Sequence, residues 1–340
     1  AQRLLALYPT PQNSNLAANY VNTPPLKQDV GKFDMRFDVV LGSNDTVSYR
    51  YSQQDLVSPA ALALPPPAFS GEYDSNVQGK NTGATWNHIF SPSLILSLRG
   101  GWNFALFKRD NPAATNGELL NQKYGIPGGN NTIPGGFSSM GITGYRSIGL
   151  GGFNPVDRDS QNRQLSGDLT WTTGRHNVKF GGSILRLQNN IFNIRNEIGN
   201  YTFNARYTTD GAADFLLGLA SAYNWNTRLQ VDLRGWNYAG YIQDDWRVTP
   251  NLTVNLGLRY EATVPFSDKY DRMGILDNYT DPANPRLIYA GAEGKDTYNR
   301  AMIATDRNNF MPRVGFAYKL NEKTVVRAGY GVFFMLFEQM

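Results

Sequence analysis

Apolar and polar positions alternate without a break from Leu252 to Glu261. Leu252, Val254, Leu256, Leu258 and Tyr260 fall on one side, and Thr253, Asn255, Gly257, Arg259 and Glu261 on the other. Successive strand side chains point to opposite faces, so the pattern predicts a β-strand with one apolar and one polar face. The stretch before it, Trp236 to Trp246, is aromatic and strand-like as well, with Thr249, Pro250 and Asn251 in between. Pro presets φ and Asn tolerates left-handed geometry, so the unit reads as a β-hairpin with a very short turn.

The unit recurs along the chain. Phe33, Met35, Phe37, Val39 and Leu41 alternate with Asp34, Arg36 and Asp38, turn through Gly42 to Asp45, and return as Val47, Tyr49 and Tyr51 opposite Thr46, Ser48 and Arg50. Trp86 and Phe90 lead to a turn at Ser91, Pro92 and Ser93, and Leu94, Leu96, Leu98, Gly100, Trp102 and Phe104 lead away, with Ser97, Arg99 and Asn103 on the other face. Leu165, Gly167, Leu169 and Trp171 precede a turn at Thr173 to His176, followed by Val178, Phe180, Gly182 and Ile184. Val314, Phe316, Tyr318 and Leu320 form the last unit with Val326, Ala328 and Tyr330, and Arg327 faces the other way.

Between these hairpins run long connections rich in Pro, Gly, Asn and Ser, at about 53–80, 108–162, 188–233 and 265–311. The second of these is too long for an ordinary connection in a compact domain. Phe137, Tyr145, Ile148 and Phe153 within the second suggest that it folds onto something. A strand is expected at Tyr201 to Phe203, and a short apolar segment at Ala212 to Ala220.

Short turns alternating with long connections are themselves a topology. In an up-and-down antiparallel barrel all short turns lie at one rim and all long loops at the other, as in outer-membrane barrels with short periplasmic turns and long extracellular loops. The aromatics supply a height check. Trp171 and Trp246 sit beside short turns, whereas Trp102 and Tyr260 lie about nine residues beyond theirs, a climb of about 23 Å at ~3.3 Å per residue and ~40° tilt. That matches the apolar band of about 25 Å between aromatic girdles. A secreted β-sandwich or propeller shares the alternation but not this asymmetry. The expected fold is all-β: part of an antiparallel up-and-down transmembrane β-barrel, about 10–12 strands of a larger one.

Composition is compatible. The 340 residues are 41% hydrophobic with 34 Gly, 18 Pro, 19 Tyr, 18 Phe and 6 Trp. Mean hydropathy is −0.42, and no apolar run approaches the ~18 residues of a membrane helix; a barrel hides its hydrophobicity in alternation. The absence of cysteine removes disulfides, thiol nucleophiles and cysteine metal sites. A net charge of +4 with no Lys/Arg block points away from nucleic acid.

Candidate chemistry is sparse. His88 and His176, each near a short turn, read as an interfacial strand residue and a turn residue rather than a catalytic or metal site. Asp244 and Asp245 are adjacent strand positions on opposite faces, so they cannot work on one substrate; Asp245 is expected on the polar face. Asp268, Asp271, Asp277 and Asp281 share one loop where carboxylates could take Ca²⁺, but they lack the regular spacing of a calcium loop and read as solvated acids. The glycines near 128–136 do not join a strand to a helix, so they form no phosphate loop. Arg36, Arg50, Arg99, Arg259 and Arg327 are expected to line the polar interior.

These segments also resemble a known family. Tyr241 to Glu261, YIQDDWRVTPNLTVNLGLRYE, is similar to a strand-turn-strand signature of TonB-dependent outer-membrane receptors, closest to the Oar-like (OmpA-related) group with a carboxypeptidase-regulatory-like N-terminal domain. Gly174 to Gly182 (GRHNVKFGG), LYP at Leu7, NYV at Asn19, FDMRFD at Phe33, DFLLG at Asp214 and PRVGF at Pro312 also match, in the family's order. The resemblance implies a 22-stranded barrel occluded by an N-terminal plug. Residues 1–30 would then be an irregular lead-in following that plug, and 31–340 part of the barrel, in a chain expected to be partial at both ends. It further implies a multi-pass protein of the bacterial outer membrane that imports a bulky solute. Its partners would be outer-membrane lipid or lipopolysaccharide, the TonB complex acting through the plug, and a solute or protein cargo. Phe137, Tyr145, Phe153, Tyr223, Trp225 and Tyr279 are the expected solute contacts on the long loops. The alternative is an envelope barrel whose loops serve adhesion, assembly or protein export. No constellation supports an enzyme, and no cofactor is expected.

Overall fold

A computed structural model describes residues 1–15, 18–68, 72–110, 118–128, 136–150, 156–193, 196, 198–227, 229–291 and 300–334. In chain order the elements are α1 (Gln2–Leu5), β1 (Asp29–Leu41), β2 (Asp45–Ser58), β3 (Asp74–Ser91), β4 (Leu94–Asp110), α2 (Leu120–Tyr124), β5 (Ser139–Ile142), β6 (Val156–Thr173), β7 (His176–Asn193), β8 (Asn200–Phe203), α3 (Gly211–Leu217), β9 (Ala222–Asn224), β10 (Leu229–Thr249), β11 (Leu252–Asp268), β12 (Gly274–Asp277), β13 (Arg286–Tyr289), β14 (Asn309–Asn321) and β15 (Thr324–Gly331).

Ten of these strands make one sheet in the order β1-β2-β3-β4-β6-β7-β10-β11-β14-β15. Every neighbouring pair is antiparallel, so the chain meanders up and down without a crossover. The sheet does not close: β1 and β15 are its two edges. The expected hairpins are all present, with Thr173 paired to His176 and Thr249 to Leu252 around their turns. Gly42 at φ +75° and Gly174 at φ +54° supply left-handed backbone that residues with a Cβ adopt at a cost.

Register carries the alternation across the sheet. On β6, β7, β10 and β11 one row reads Leu169, Phe180, Ile242 and Leu258. All the hairpins put their apolar sets on the same face, and its side chains are largely uncovered; Phe33, Phe37, Leu165, Ile242 and Phe316 are among the exposed hydrophobics. The opposite face carries Asp, Asn, Ser, Arg and Gly.

The strands are longer than the hydrophobic pattern marks. β10 has 21 residues and β6 and β7 have 18 each, which at ~3.3 Å per residue and ~40° tilt rise about 53 Å and 45 Å. Residues 53–58, 74–79, 156–162, 188–193, 229–234, 265–268 and 309–311, expected in the long connections, are therefore strand. Gln78, Asp159, Asn190 and Asp232 stand on the nominally apolar face there. Above an apolar band both faces meet water, so alternation vanishes while strand pairing continues.

The buried core lies off the sheet. Leu4, Leu64, Ala68, Leu120, Ile126, Phe137, Met140, Ile142, Ile148, Phe203 and Phe215 pack into one cluster drawn from the N-terminal segment and three of the long connections. The sheet β5-β8-β9 and helix α3 frame it. Asp210 caps α3 by accepting from the N–H groups of Ala212 and Ala213, and Gly218 ends it in left-handed geometry. The hairpin β12-β13 has its own small core of Ile288, Ala290 and Met302.

Candidate functional site: the polar face and the layer of long connections

Four of the five arginines expected on the polar face are paired with acids. Arg36 on β1 stands directly across from Arg50 on β2, a like-charge placement that costs stability unless compensated. Compensation is local: Arg36 pairs with Asp38 at 2.7 Å and Arg50 reaches Asp34 at 3.6 Å. Arg99 on β4 donates to Asp168 on β6 at 2.8 Å, and Arg259 pairs with Glu261 two residues along β11. Asp245 accepts from Asn255 Nδ2 at 2.5 Å on this face, as its parity predicts. Arg327 stands beside Ala317 at the β15 edge. Between the first three arginines opens a cleft of about 300 Å³, lined also by Ser48, Asn81 and Thr85. Gly83 and Gly101, side by side in β3 and β4, leave it unfilled.

Close approach shapes this wall too. A Cβ at Gly181 would lie 2.5 Å from the Gly167 carbonyl oxygen and 3.0 Å from Tyr241 Cε1. Tyr241 therefore lies across β7 because Gly181 has no side chain.

The layer of long connections is held by buried polar bonds as well as by its core. Asn121 Oδ1 accepts from the Ser138 N–H at 2.8 Å, and Ser138 Oγ donates to the Ile198 carbonyl at 2.6 Å. The Tyr8 hydroxyl donates to the Arg146 carbonyl. Burial, with Tyr145 nearby, pushes the Tyr8 hydroxyl up to about 12. The buried Asp214 carboxylate accepts from Thr208 Oγ1 at 2.6 Å and from the Tyr207 N–H at 3.3 Å. Burial pushes its pKa up, but these bonds outweigh it and hold the carboxyl below its ordinary value.

The expected solute contacts separate on this layer. Phe137 is fully buried against Tyr124, so its ring presents no surface. Tyr145, Tyr223 and Trp225 are exposed. Tyr223 packs at 4.6 Å from Tyr201, and its hydroxyl donates to the Gly128 carbonyl. Tyr279 is 94% exposed and belongs to the β12-β13 unit, apart from the main core. Phe153 lies outside the described residues. The four loop acids do not converge on a cation. Arg272 pairs with Asp268 at 2.8 Å, Arg300 with Asp271 at 2.6 Å and Arg286 with Asp277 at 3.6 Å, while Asp281 accepts from the Ala283 N–H. Among the described residues no three metal-ligating side chains cluster.

Sequence reasoning missed the partners of the histidines. On the apolar face Asp45 accepts from Trp86 Nε1 and pairs with His88 Nδ1, both at 2.7 Å. Asp244 pairs with His176 at 2.7 Å, and His176 stacks on Trp246. Each aspartate lies tens of residues from its histidine in the chain, so only register brings them together.

A meander of strands, apolar on one face and polar on the other, with short turns at one rim and, at the opposite rim, connections whose described residues share a buried core, defines a transmembrane β-barrel wall. The chain belongs to the outer membrane beta barrel domain family, whose model matches residues 1–340. It is a multi-pass β-barrel protein of the bacterial outer membrane, with the apolar face toward lipid and the polar face toward the lumen. No helix among the described residues is long and apolar enough to cross a membrane. No curated protein matches the chain by sequence. Among solved structures it is similar to the copper transporter OprC (14% identity, TM-score 0.46, covering 91% of this chain and 37% of that one). It is also similar to FpvA of P. aeruginosa bound to pyoverdine (13%, TM-score 0.47, 87% and 34%) and to the ferric-catecholate import receptor Fiu of E. coli K12 (12%, TM-score 0.47, 90% and 47%). The chain thus spans less than half the length of each of these.

Proposed function

We propose that this chain is the barrel portion of a TonB-dependent outer-membrane transporter of the Oar-like group in a Gram-negative cell. It imports a bulky solute and carries no catalytic step of its own. The observation that carries this reading is the buried core shared by the described residues of the long connections. That core, including Phe137, Ile148 and Phe215, makes them a preformed surface, and preorganised surfaces bind without the cost of ordering loops. Tyr145, Tyr223 and Trp225 on this surface, with Tyr279 on the separate β12-β13 unit, are the proposed solute contacts, and the polar wall around Arg36, Arg50, Arg99, Arg259 and Arg327 is proposed to face the plug and the passing solute. Residues 1–30 would join that plug to the barrel, and TonB would act through the plug.

The test is solute accumulation in cells making the full-length protein, with and without TonB. A solute that accumulates only when both are present is the expected result. Binding of a surface or secreted protein to the loops, with no TonB-dependent accumulation of any solute, would favour the adhesion or export barrel instead.

A further inference from the structure

Two like charges meet on the apolar face with no acid among the described residues to neutralise them. Arg163 on β6 and Arg186 on β7 are direct cross-strand partners on the lipid side. Like charges so placed destabilise a sheet. On the lumen side the equivalent Arg36/Arg50 pair is relieved by Asp38 and Asp34. Arg163 and Arg186 have no acidic partner among the described residues; Arg163 reaches only Gln161 Oε1 at 3.4 Å, and Arg186 lies 5.5 Å from the Trp236 ring centroid. The nearest acids on the same face, Asp159 and Asp232, stand higher and are engaged by Asn190 and Arg272.

Height and neighbours say what would relieve the pair. Arg163 and Arg186 lie about ten residues above the short turns, about 25 Å up, at the top of the apolar band. Their row across the sheet is Trp102, Arg163, Arg186 and Trp236. One step down, Leu165 and Ile184 are 60% and 44% exposed. One step up, Gln161 and Gln188 pair, with Arg234 beyond Gln188. Apolar surface, then two guanidiniums between indoles, then amides form the profile of an anionic amphiphile in the outer leaflet. Guanidiniums bind phosphate bidentately, which suits them to this role.

We infer that the outer wall between β4 and β10 is a binding site for a bis-phosphorylated glycolipid of the outer leaflet. Its phosphates bridge Arg163 and Arg186, and its acyl chains lie over Leu165 and Ile184. The inference rests on the membrane placement of the sheet and not on the transport reading.

The full-length protein, delipidated in nonionic detergent, is titrated with diphosphoryl lipid A, with the same glycolipid dephosphorylated, and with inorganic phosphate. Native mass spectrometry reads retained lipid, and the thermal midpoint reads stabilisation. The diphosphoryl form is expected to bind about tenfold or more tighter than the dephosphorylated form, the scale of a charge-assisted bidentate contact. R163Q/R186Q is expected to remove that difference, and without lipid to unfold at the same temperature as the native protein or higher, because the repulsion is gone. Equal retention of both glycolipids by the native protein would overturn the inference, as would an unchanged preference in the double variant. Inorganic phosphate stabilising as well as the lipid at equal phosphate would overturn it in favour of a free-anion site. If the double variant does not assemble, the three-ligand comparison on the native protein still decides.

Discussion

Asp244 on β10 and His176 on β7 meet at 2.7 Å on the lipid-facing side of the wall, with the His176 ring stacked 5.4 Å from that of Trp246. The second carboxylate oxygen, Asp244 Oδ1, is buried and unpartnered. The aspartate is tolerated among Val178 and Leu256 because the pair sits within a few residues of the short turn, at the membrane interface. A double-mutant cycle of Asp244→Ala and His176→Ala, read by denaturant unfolding in detergent, is expected to give a coupling of about 1 kcal/mol, the range of contacting polar pairs. Additive effects would show that the contact contributes nothing.

Parity assigns each side chain of β11 to lipid or lumen. Leu258→Lys, near the middle of the apolar band, is expected to cost about 2–4 kcal/mol. Asn255→Lys, facing the lumen, exchanges its hydrogen bond to Asp245 for an ion pair with the same carboxylate and is expected to cost under about 1 kcal/mol. Unfolding of the full-length protein in lipid vesicles compares them; similar costs would mean that the faces are misassigned.

Gly181 is predicted to be intolerant of even one methyl group. Gly181→Ala drives a Cβ into the Gly167 carbonyl and the Tyr241 ring, and overpacking costs about 1–3 kcal/mol. Gly181→Ala combined with Tyr241→Ala should recover only the part due to the ring, which a thermal-melt comparison of the two variants measures.

Phe137→Ala tests whether the connection layer has a core of its own. Emptying a fully buried aromatic site costs about 3–5 kcal/mol. The expected consequence is rapid proteolysis between about 118 and 150 while the barrel keeps its heat-modifiable migration on gels. Loss of the barrel as well would show that layer and wall fold as one unit.

Asp214 makes that layer acid-sensitive. Its carboxyl lies below its ordinary value in the folded chain, so the unfolded state binds its proton more readily. Its stabilisation is complete above about pH 4, the unfolded carboxylate value, and is lost as pH falls through the lower folded value. Hydrogen-exchange protection of the Tyr207 and Thr208 amides, corrected for intrinsic rates, should hold from neutral pH to about 5 and decay below about 4. Asp214→Asn should remove this dependence.

Much of the wall was legible in the chain itself. Alternation at Leu252–Tyr260 and its echoes assigned every hairpin, because a strand has only two faces and a hydrophobic error of one residue would invert them. The strands' upper halves were not legible: at Asp159 both faces are polar, and around Asn190 apolar residues such as Leu187 and Ile191 sit on the other face, so the simple alternation is gone and strand looks like loop. Nor was the burial of Phe137. An aromatic in a glycine-rich connection reads equally well as a ligand contact or as a core residue until its neighbours are known.

The sequence by itself determined the strand periodicity, the positions of the short turns, the asymmetry of the connections and hence the membrane-barrel class, since these are local consequences of side-chain parity and turn chemistry. Tertiary structure alone decided which charges meet. Arg99 and Asp168 are compensated, His176 and Asp244 are paired, and Arg163 and Arg186 confront each other because strand register sets residues far apart in the chain side by side. Register is a property of neighbouring strands, and no single strand's pattern contains it.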